Sequence, residues 1–436
     1  MDNNKADNER IDYAKLTSLG ALHMAQYFPA AFTGIALPAI FRKEGLPLEM
    51  FWLLALPAIP RWFKWLIALV VDNYGSTRIG VRKTWIIPCT FIGALLYYSL
   101  SFLQPTTSLV YVIVAILVVK SLIMAAQDIA VDGFAAESLN DNDRAIGTSI
   151  IIFMATLGSA IGGSLMTGVE RFGWSTTMTV ASGLLIVTAL PAILRKEPPP
   201  PPESQKRRER GESASLIRAF TRPESKLIMP YLFAFGFGAT FMGALFSAFL
   251  VDPGVALSDI GIILPIAGFI GAGGGAFITP FIVHYLGLKG AGVAGMIFLP
   301  IEGLTFAWLS TLNVLPGTIL LTFILSMLFF TTSIYSYAVN NSRFRWASKS
   351  QAGTDFSMQS SIWNFGVWAA GSSAGFIAAW FGYTMYFIIA AVLATSFAAW
   401  YVFMFDYLER LVQIREQEEL ANSSDKNTQE TKGLGS

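Results

Sequence analysis

Apolar residues in this chain come in runs too long for strands or ordinary core helices. Leu16–Phe41 is 26 residues without an Asp, Glu, Lys or Arg, and Leu109–Val119 is wholly apolar up to Lys120. A bilayer core of about 30 Å takes roughly 20 apolar helical residues, and in lipid only helices or closed barrels satisfy their own backbones. The blocks predict twelve helices, at about 16–41, 50–71, 84–103, 109–132, 146–168, 176–194, 227–250, 257–284, 291–311, 316–340, 352–380 and 384–405. An even number of crossings puts both termini on one side.

Charge sets which side. The termini and the loops after even-numbered helices hold 24 of the 30 Lys and Arg, and the opposite loops hold only Arg42, Lys43 and Arg171. The positive-inside rule makes the basic face cytoplasmic. The fold class expected is an all-α membrane protein with N- and C-termini cytoplasmic. Composition agrees: 54% of residues are hydrophobic and 14% charged, against about 25% charged in an ordinary soluble chain. A net charge of +1 offers no field for nucleic acid. Cys89 stands alone, which excludes an intramolecular disulfide. The first apolar run exceeds a signal-peptide core and reads as a retained helix.

The long polar segment Arg195–Glu212, with its five consecutive prolines, reads as an extended spacer between two six-helix halves. The halves echo one another: Leu56-Pro57 matches Leu264-Pro265, "VVDNYG" from Val70 matches "IVHYLG" from Ile282, and "AIGTSIIIF" from Ala145 matches "QAGTDFSMQ" from Gln351. The expected organisation is two pseudo-symmetric bundles, 1–195 and 227–406, a basic linker at 196–226 and a polar cytoplasmic tail at 407–436. A solute site between such halves lies near the bilayer midplane.

No phosphate-binding loop, zinc-protease helix or nucleophile elbow occurs in the chain. The glycines of "GAGGGAF", Gly271–Phe277, permit close helix packing. The expectation is therefore a non-enzyme without cofactor, metal or ATP, whose partners are lipid, protons and a small solute. Charges inside the membrane need a partner or a wet cavity. Arg61 and Lys64 fall three residues apart on one helix face, and Lys120 is similarly deep. These cations either meet an anionic solute or neutralise Asp128 and Asp132. Those two carboxylates sit four apart in "AAQDIAVDGFAAES" beside Gln127. Two close carboxylates resist simultaneous ionisation, which makes Asp128 and then Asp132 the proton-coupling candidates.

Further cavity candidates are the stripe His23, Gln26 and Tyr27, together with Trp363 and Asn364. Glu302 is expected to pack or gate. Asn340 and Asn341 occupy the place of the carboxylates in the second half. Arg343–Lys349 is read as topology-setting charge. The loop Asp72–Trp85, with Asp72, Gly75, Arg78, Arg82 and Lys83, can pair across the cytoplasmic mouth and hold it shut.

That loop resembles the major facilitator signature, with Ala68 in place of the first glycine, Asn73 in place of the first arginine and "STRIGV" inserted. "AQYFPAAF", "LPAIFRKEGLPLEMFWLLALP" and "AAQDIAVDGFAAE" resemble the branch of AmpG-type muropeptide permeases and acetyl-coenzyme A transporters. "FWLLALP" with "KWLIALVVDNYGSTRIG" looks most like the RhtX/FptX/YbtX-type siderophore permeases. The resemblance covers the first half and implies the major facilitator fold. It further implies import across a bacterial inner membrane, with a ferric siderophore as the expected cargo. A muropeptide or other anionic metabolite is the alternative, and a receptor that moves nothing is the remote one.

Overall fold

The computed structural model describes residues 12–76, 78–138, 141–194, 222, 224–312, 314–346 and 352–433. The linker at 196–226 lies almost wholly outside the described residues, as does the end of Arg343–Lys349. Every regular element among the described residues is helical. In the first half these are α1 (Tyr13–Ala31), α2 (Leu37–Lys43), α3 (Phe51–Ala55), α4 (Lys64–Asn73), α5 (Lys83–Leu100), α6 (Val110–Ser138), α7 (Asp141–Phe172) and α8 (Trp174–Leu194). The second half has α9 (Ser225–Phe241), α10 (Phe246–Val251), α11 (Leu257–Met296), α12 (Leu299–Leu309), α13 (Thr318–Trp346) and α14 (Ala352–Gly433).

Eight stretches among the described residues are long and apolar enough to cross a membrane. Two of them, Leu257–Leu309 and Met358–Arg415, have 53 and 58 residues, about twice one crossing. Each contains a sharp break, at Gly287 (φ 68°) in the first and Gly382 (φ 77°) in the second. These left-handed values are open to glycine and costly for a residue with a Cβ.

Packing repeats between the halves. In the first, α1 lies on α7, α5 on α8, and α4 on α6. In the second, α9 lies on α14, α12 on α14, and α11 on α13. Small residues bring the backbones together at matching places. A Cβ on Gly162 of α7 would fall 2.0 Å from the Phe28 carbonyl oxygen of α1, and one on Gly366 of α14 would fall 2.2 Å from that of Phe233 in α9. The glycine run of α11 does the same, with Gly271 against Ser326 of α13.

The halves meet along α11 against α7, and along α14 against α3 and the segment Leu56–Phe63. One end of this seam is fastened by polar groups. Arg42, near the end of α2, holds Asp252 through two of its three guanidinium nitrogens, Nε–Oδ1 at 2.5 Å and Nη2–Oδ2 at 2.7 Å. Tyr383 donates to the same carboxylate at 2.8 Å. Glu170 takes Lys43 at 3.0 Å and also accepts from the Ser258 backbone N–H.

The polar segment from residue 407 is helical as far as it is described. α14 runs on to Gly433, and its first turns past 407 pack rather than dangle. Leu408 and Val412 are buried on one face of it. The Arg415 guanidinium reaches Glu224 at 3.2 Å and the Trp346 carbonyl at 2.8 Å, while Trp346 donates to Glu409 at 3.0 Å. The polar count of this segment hid a narrow apolar stripe and a buried ion pair.

If the glycine contacts set helix spacing, Gly162→Ala and Gly366→Ala should each destabilise the fold by roughly 1–3 kcal/mol. A thermal melt of purified protein in detergent reads this, and an unchanged midpoint in both variants would show that the helices can separate freely.

Candidate functional site

A cavity of about 240 Å³ lies between the halves. Its wall is built where helices are irregular. α1 passes through a π-helical turn, Phe32–Ala36, that brings Thr33 and Gly34 to the cavity. The segment Leu56–Phe63 winds as a 3-10 helix containing Pro57 and Pro60, and it presents Pro57, Ala58 and Arg61. Proline removes the N–H that an α-helix would use. After α9 a second 3-10 turn, Met242–Leu245, presents Ala244. Non-helical backbone at membrane depth is tolerated where it faces a cavity or protein rather than lipid.

Charge on the wall is one-sided. Gln26, Arg61, Lys120 and Asp128 come from the first half, whereas the second half supplies Thr240, Ala244, Val367, Trp368 and Gly371. Lys120 is buried, and its ammonium sits 5.6 Å from the Tyr97 ring centroid, a cation–π contact. Neither Lys120 nor Arg61 forms an ion pair among the described residues. Gln26 and Trp368 also line the cavity, and their donor nitrogens, Gln26 Nε2 and Trp368 Nε1, are buried without an acceptor among the described residues. Trp62 packs edge-on against Trp368 at 4.8 Å and against Phe365 at 4.9 Å, joining the halves with aromatic rings. The cavity therefore offers donors and positive charge to whatever fills it.

Below Arg61 the charges are paired. Lys64 contacts Asp128 Oδ2 closely and lies 3.9 Å from Asp132 Oδ2. Asp132 in turn stands 3.4 Å from His23 Nε2, and His23 Nδ1 is 2.8 Å from the Leu19 carbonyl oxygen. The helical spacing explains the group. Asp128 and Asp132 are one turn apart on α6, with Asp128 facing the cavity and the Asp132 side chain 59% exposed.

The structure sorts the residues expected from sequence. It places Gln26, Arg61, Lys120 and Asp128 on the cavity, and it brings Lys64, Asp132 and His23 together beside it. His23 serves Asp132 rather than the cavity wall. Tyr27 lines a different crevice with Ile151, Ile152 and Phe269. Gln127 is fully buried and donates to Thr90 of α5 at 3.3 Å. Trp363 carries Arg343 over its ring at 6.0 Å, and neither it nor Asn364 is among the cavity-lining residues. Trp368 was not expected. Its signal is the spacing Val367, Trp368, Gly371 and Gly375, one helical face that meets the first half.

Elsewhere, Thr331 Oγ1 lies 3.0 and 3.1 Å from the Glu302 oxygens, so Glu302 joins α12 to α13. Asn340 accepts from Arg343 at 3.1 Å, and Asn341 donates to the Tyr337 carbonyl at 3.0 Å. The gate loop is folded onto α5 and α6. Asp72 lies in the last turn of α4, and the Ser76 N–H donates to Thr84 at 3.0 Å. Lys83 is buried and Arg78 is exposed. The Arg82 guanidinium lies so near Gly133 that a Cβ there would stand 2.5 Å from its central carbon.

A helical shell around a polar, cavity-forming seam between similarly packed halves is the architecture of a membrane transporter. Residues 19–344 match the Major Facilitator Superfamily, and the chain belongs to that family. Among curated proteins it is similar to the anhydromuropeptide permease of Escherichia coli (strain K12), 24% identical over 270 residues, which are 61% of this chain and 55% of that one. The chain thus spans about half the length of this relative. It is also similar to the putative transporter AmpG 4 of Rickettsia conorii (strain ATCC VR-613 / Malish 7), 22% identical over 312 residues, 69% of this chain and 74% of that one. Among solved structures the nucleoside transporter NupG superposes with a TM-score of 0.67 at 18% identity, covering 89% of this chain and 99% of that chain. A bacterial homolog of the human lysosomal transporter Spinster gives 0.67 at 14% identity over 91% and 96%. These likenesses show the fold.

Lys64→Met should leave two carboxylates without their common cation and lower stability by roughly 2–3 kcal/mol. Adding Asp128→Asn should recover part of that loss. A double-mutant cycle of melting midpoints checks it, and simple additivity would show that the two groups do not interact.

Proposed function

We propose that this chain is a secondary transporter of an anionic small molecule of the muropeptide type, working by alternating access. The carrying observation is a cavity between the halves lined by two cations, the buried Lys120 and the more open Arg61, that form no ion pair among the described residues. A transport site needs charge left free for its cargo, and a buried cation without one is costly to keep. The AmpG-type relatives support the muropeptide cargo over the ferric siderophore to which the first-half motifs point. In this reading the chain crosses the bacterial inner membrane twelve times, with both termini and the basic loops cytoplasmic and with bundles at 1–195 and 227–406. No ATP is used. The ion group of Asp128, Asp132 and Lys64 couples cargo to protons.

The Arg42–Asp252–Tyr383 contact then seals the periplasmic end while Asp132 meets cytoplasmic water, an inward-open state. The cargo's acidic groups take Arg61 and Lys120. Its acceptor oxygens take Gln26 and Trp368, and Ala244, Val367 and the Trp368 ring of the second half cover its apolar face. Breaking the Arg42 contact and bringing the gate loop onto the second half would reverse access.

Two measurements test this. In proteoliposomes, labelled anhydromuropeptide should be taken up, and Arg61→Gln or Lys120→Gln should raise the half-saturating concentration about tenfold or more, the worth of a charge-assisted hydrogen bond. Uptake of radio-iron from a ferric siderophore panel, with no muropeptide flux, would replace the cargo. Separately, Asp252→Asn should loosen the seal. A cavity cysteine, Ala244→Cys in a Cys89→Ser background, should react faster with an impermeant maleimide added from the periplasmic side. Equal labelling rates would remove the latch role.

A further inference from the structure

We infer that His23 and Asp132 share one bound proton, and that this pair is the proton-binding site of the transporter. The argument begins with the ring. His23 Nδ1 lies 2.8 Å from the Leu19 carbonyl oxygen, which can only accept, so Nδ1 carries a hydrogen. Nε2 then faces a carboxylate oxygen of Asp132 at 3.4 Å. A neutral ring would set two acceptors against each other there, and a carboxylate beside a lone pair is repelled. A proton on Nε2 turns the same geometry into a charge-assisted contact.

The surroundings fit that assignment. The charged groups around His23 are Asp132 and Asp128 from α6 and Lys64 from α4, with Lys64 spanning both carboxylates. Arg82, from the turn before α5, lies against Gly133 beside Asp132. From α7 the neighbours one turn away, at Gly20, are Ile150 and Met154, both apolar. With the proton bound, His23 and Lys64 balance Asp128 and Asp132. Without it these four side chains sum to one negative charge, and Asp132 draws Lys64 from the cavity-facing Asp128. The histidine is buried while the Asp132 side chain is 59% exposed. The carboxylate is therefore the port through which the proton meets solvent.

The consequence for cargo rests on the transport reading above. A unit charge at about 10 Å in a medium of effective dielectric about 20 changes an anion's affinity by on the order of tenfold. An anion entering beside Arg61 and Lys120 binds better to the protonated group, so anion and proton travel together. Asp128 is then the element that feels the proton, rather than its first holder.

The chain has two histidines, His23 and the exposed His284, which makes the site readable without any cargo. In full-length protein labelled with nitrogen-15 at histidine, His23→Gln and His284→Gln assign the two signals. At pH 7 the His23 ring should show both nitrogens protonated, and Asp132→Asn should convert it to the neutral form with hydrogen on Nδ1. A neutral His23 ring in the native protein, or a pattern unchanged by Asp132→Asn, overturns the shared proton. In proteoliposomes containing a pH dye, anhydromuropeptide uptake should carry protons, and His23→Gln should exchange labelled anhydromuropeptide without moving protons. Proton movement equal to wild type would overturn the coupling. Absence of cargo flux in the native protein would overturn the cargo reading instead, and the pair would stand or fall on the histidine spectrum.

Discussion

One ammonium group between two carboxylates holds the site together. Lys64 contacts Asp128 and approaches Asp132, and it joins a carboxylate on the cavity wall to one that is largely exposed. Those carboxylates take Lys64, and His23 attends Asp132, while Arg61 and Lys120 form no ion pair among the described residues. Arg61, three residues before Lys64, turns to the cavity with Lys120. The division between the paired Lys64 and the cavity-facing Arg61 thus depends on a helical offset of three residues, at the point where a proline-containing 3-10 segment gives way to α4.

The same economy of polar groups shapes the ends of the molecule. Arg42, Asp252 and Tyr383 tie the two halves at one end. Trp346, Glu224, Glu409 and Arg415 tie the continued α14 back onto the second half at the other. The first set joins the two halves. The second lies within one half and moves with it. A transporter needs both kinds: rigid halves, set here by close glycine contacts such as Gly162 on Phe28 and Gly366 on Phe233, and a seam whose bonds are few and polar.

Glu302 and Gln127 show how embedded polar residues need not touch cargo. Glu302 meets the Thr331 hydroxyl between α12 and α13, and Gln127 meets Thr90 between α6 and α5. Side-chain hydrogen bonds of this kind fasten helices where lipid gives no hydrophobic drive for association.

Much of this was legible along the chain. Apolar runs of bilayer length dictate helices, because lipid leaves the backbone no other partner. Their few charges single out Arg61, Lys64, Lys120, Asp128 and Asp132, because each charge must be paired or wetted. Periodicity also placed Asp128 and Asp132 on one face. What only the tertiary structure decided is who partners whom. The stripe His23, Gln26 and Tyr27 looks uniform in sequence. Yet α1 meets α6 on one side, the cavity on another and a separate crevice on a third, so the three residues part company. Trp368 rather than Trp363 faces the cavity, and Leu408, Val412 and Arg415 pack onto the second half. Helix rotation and inter-helix register depend on contacts between residues hundreds of positions apart, such as Arg42 with Asp252, and local pattern carries no information about them.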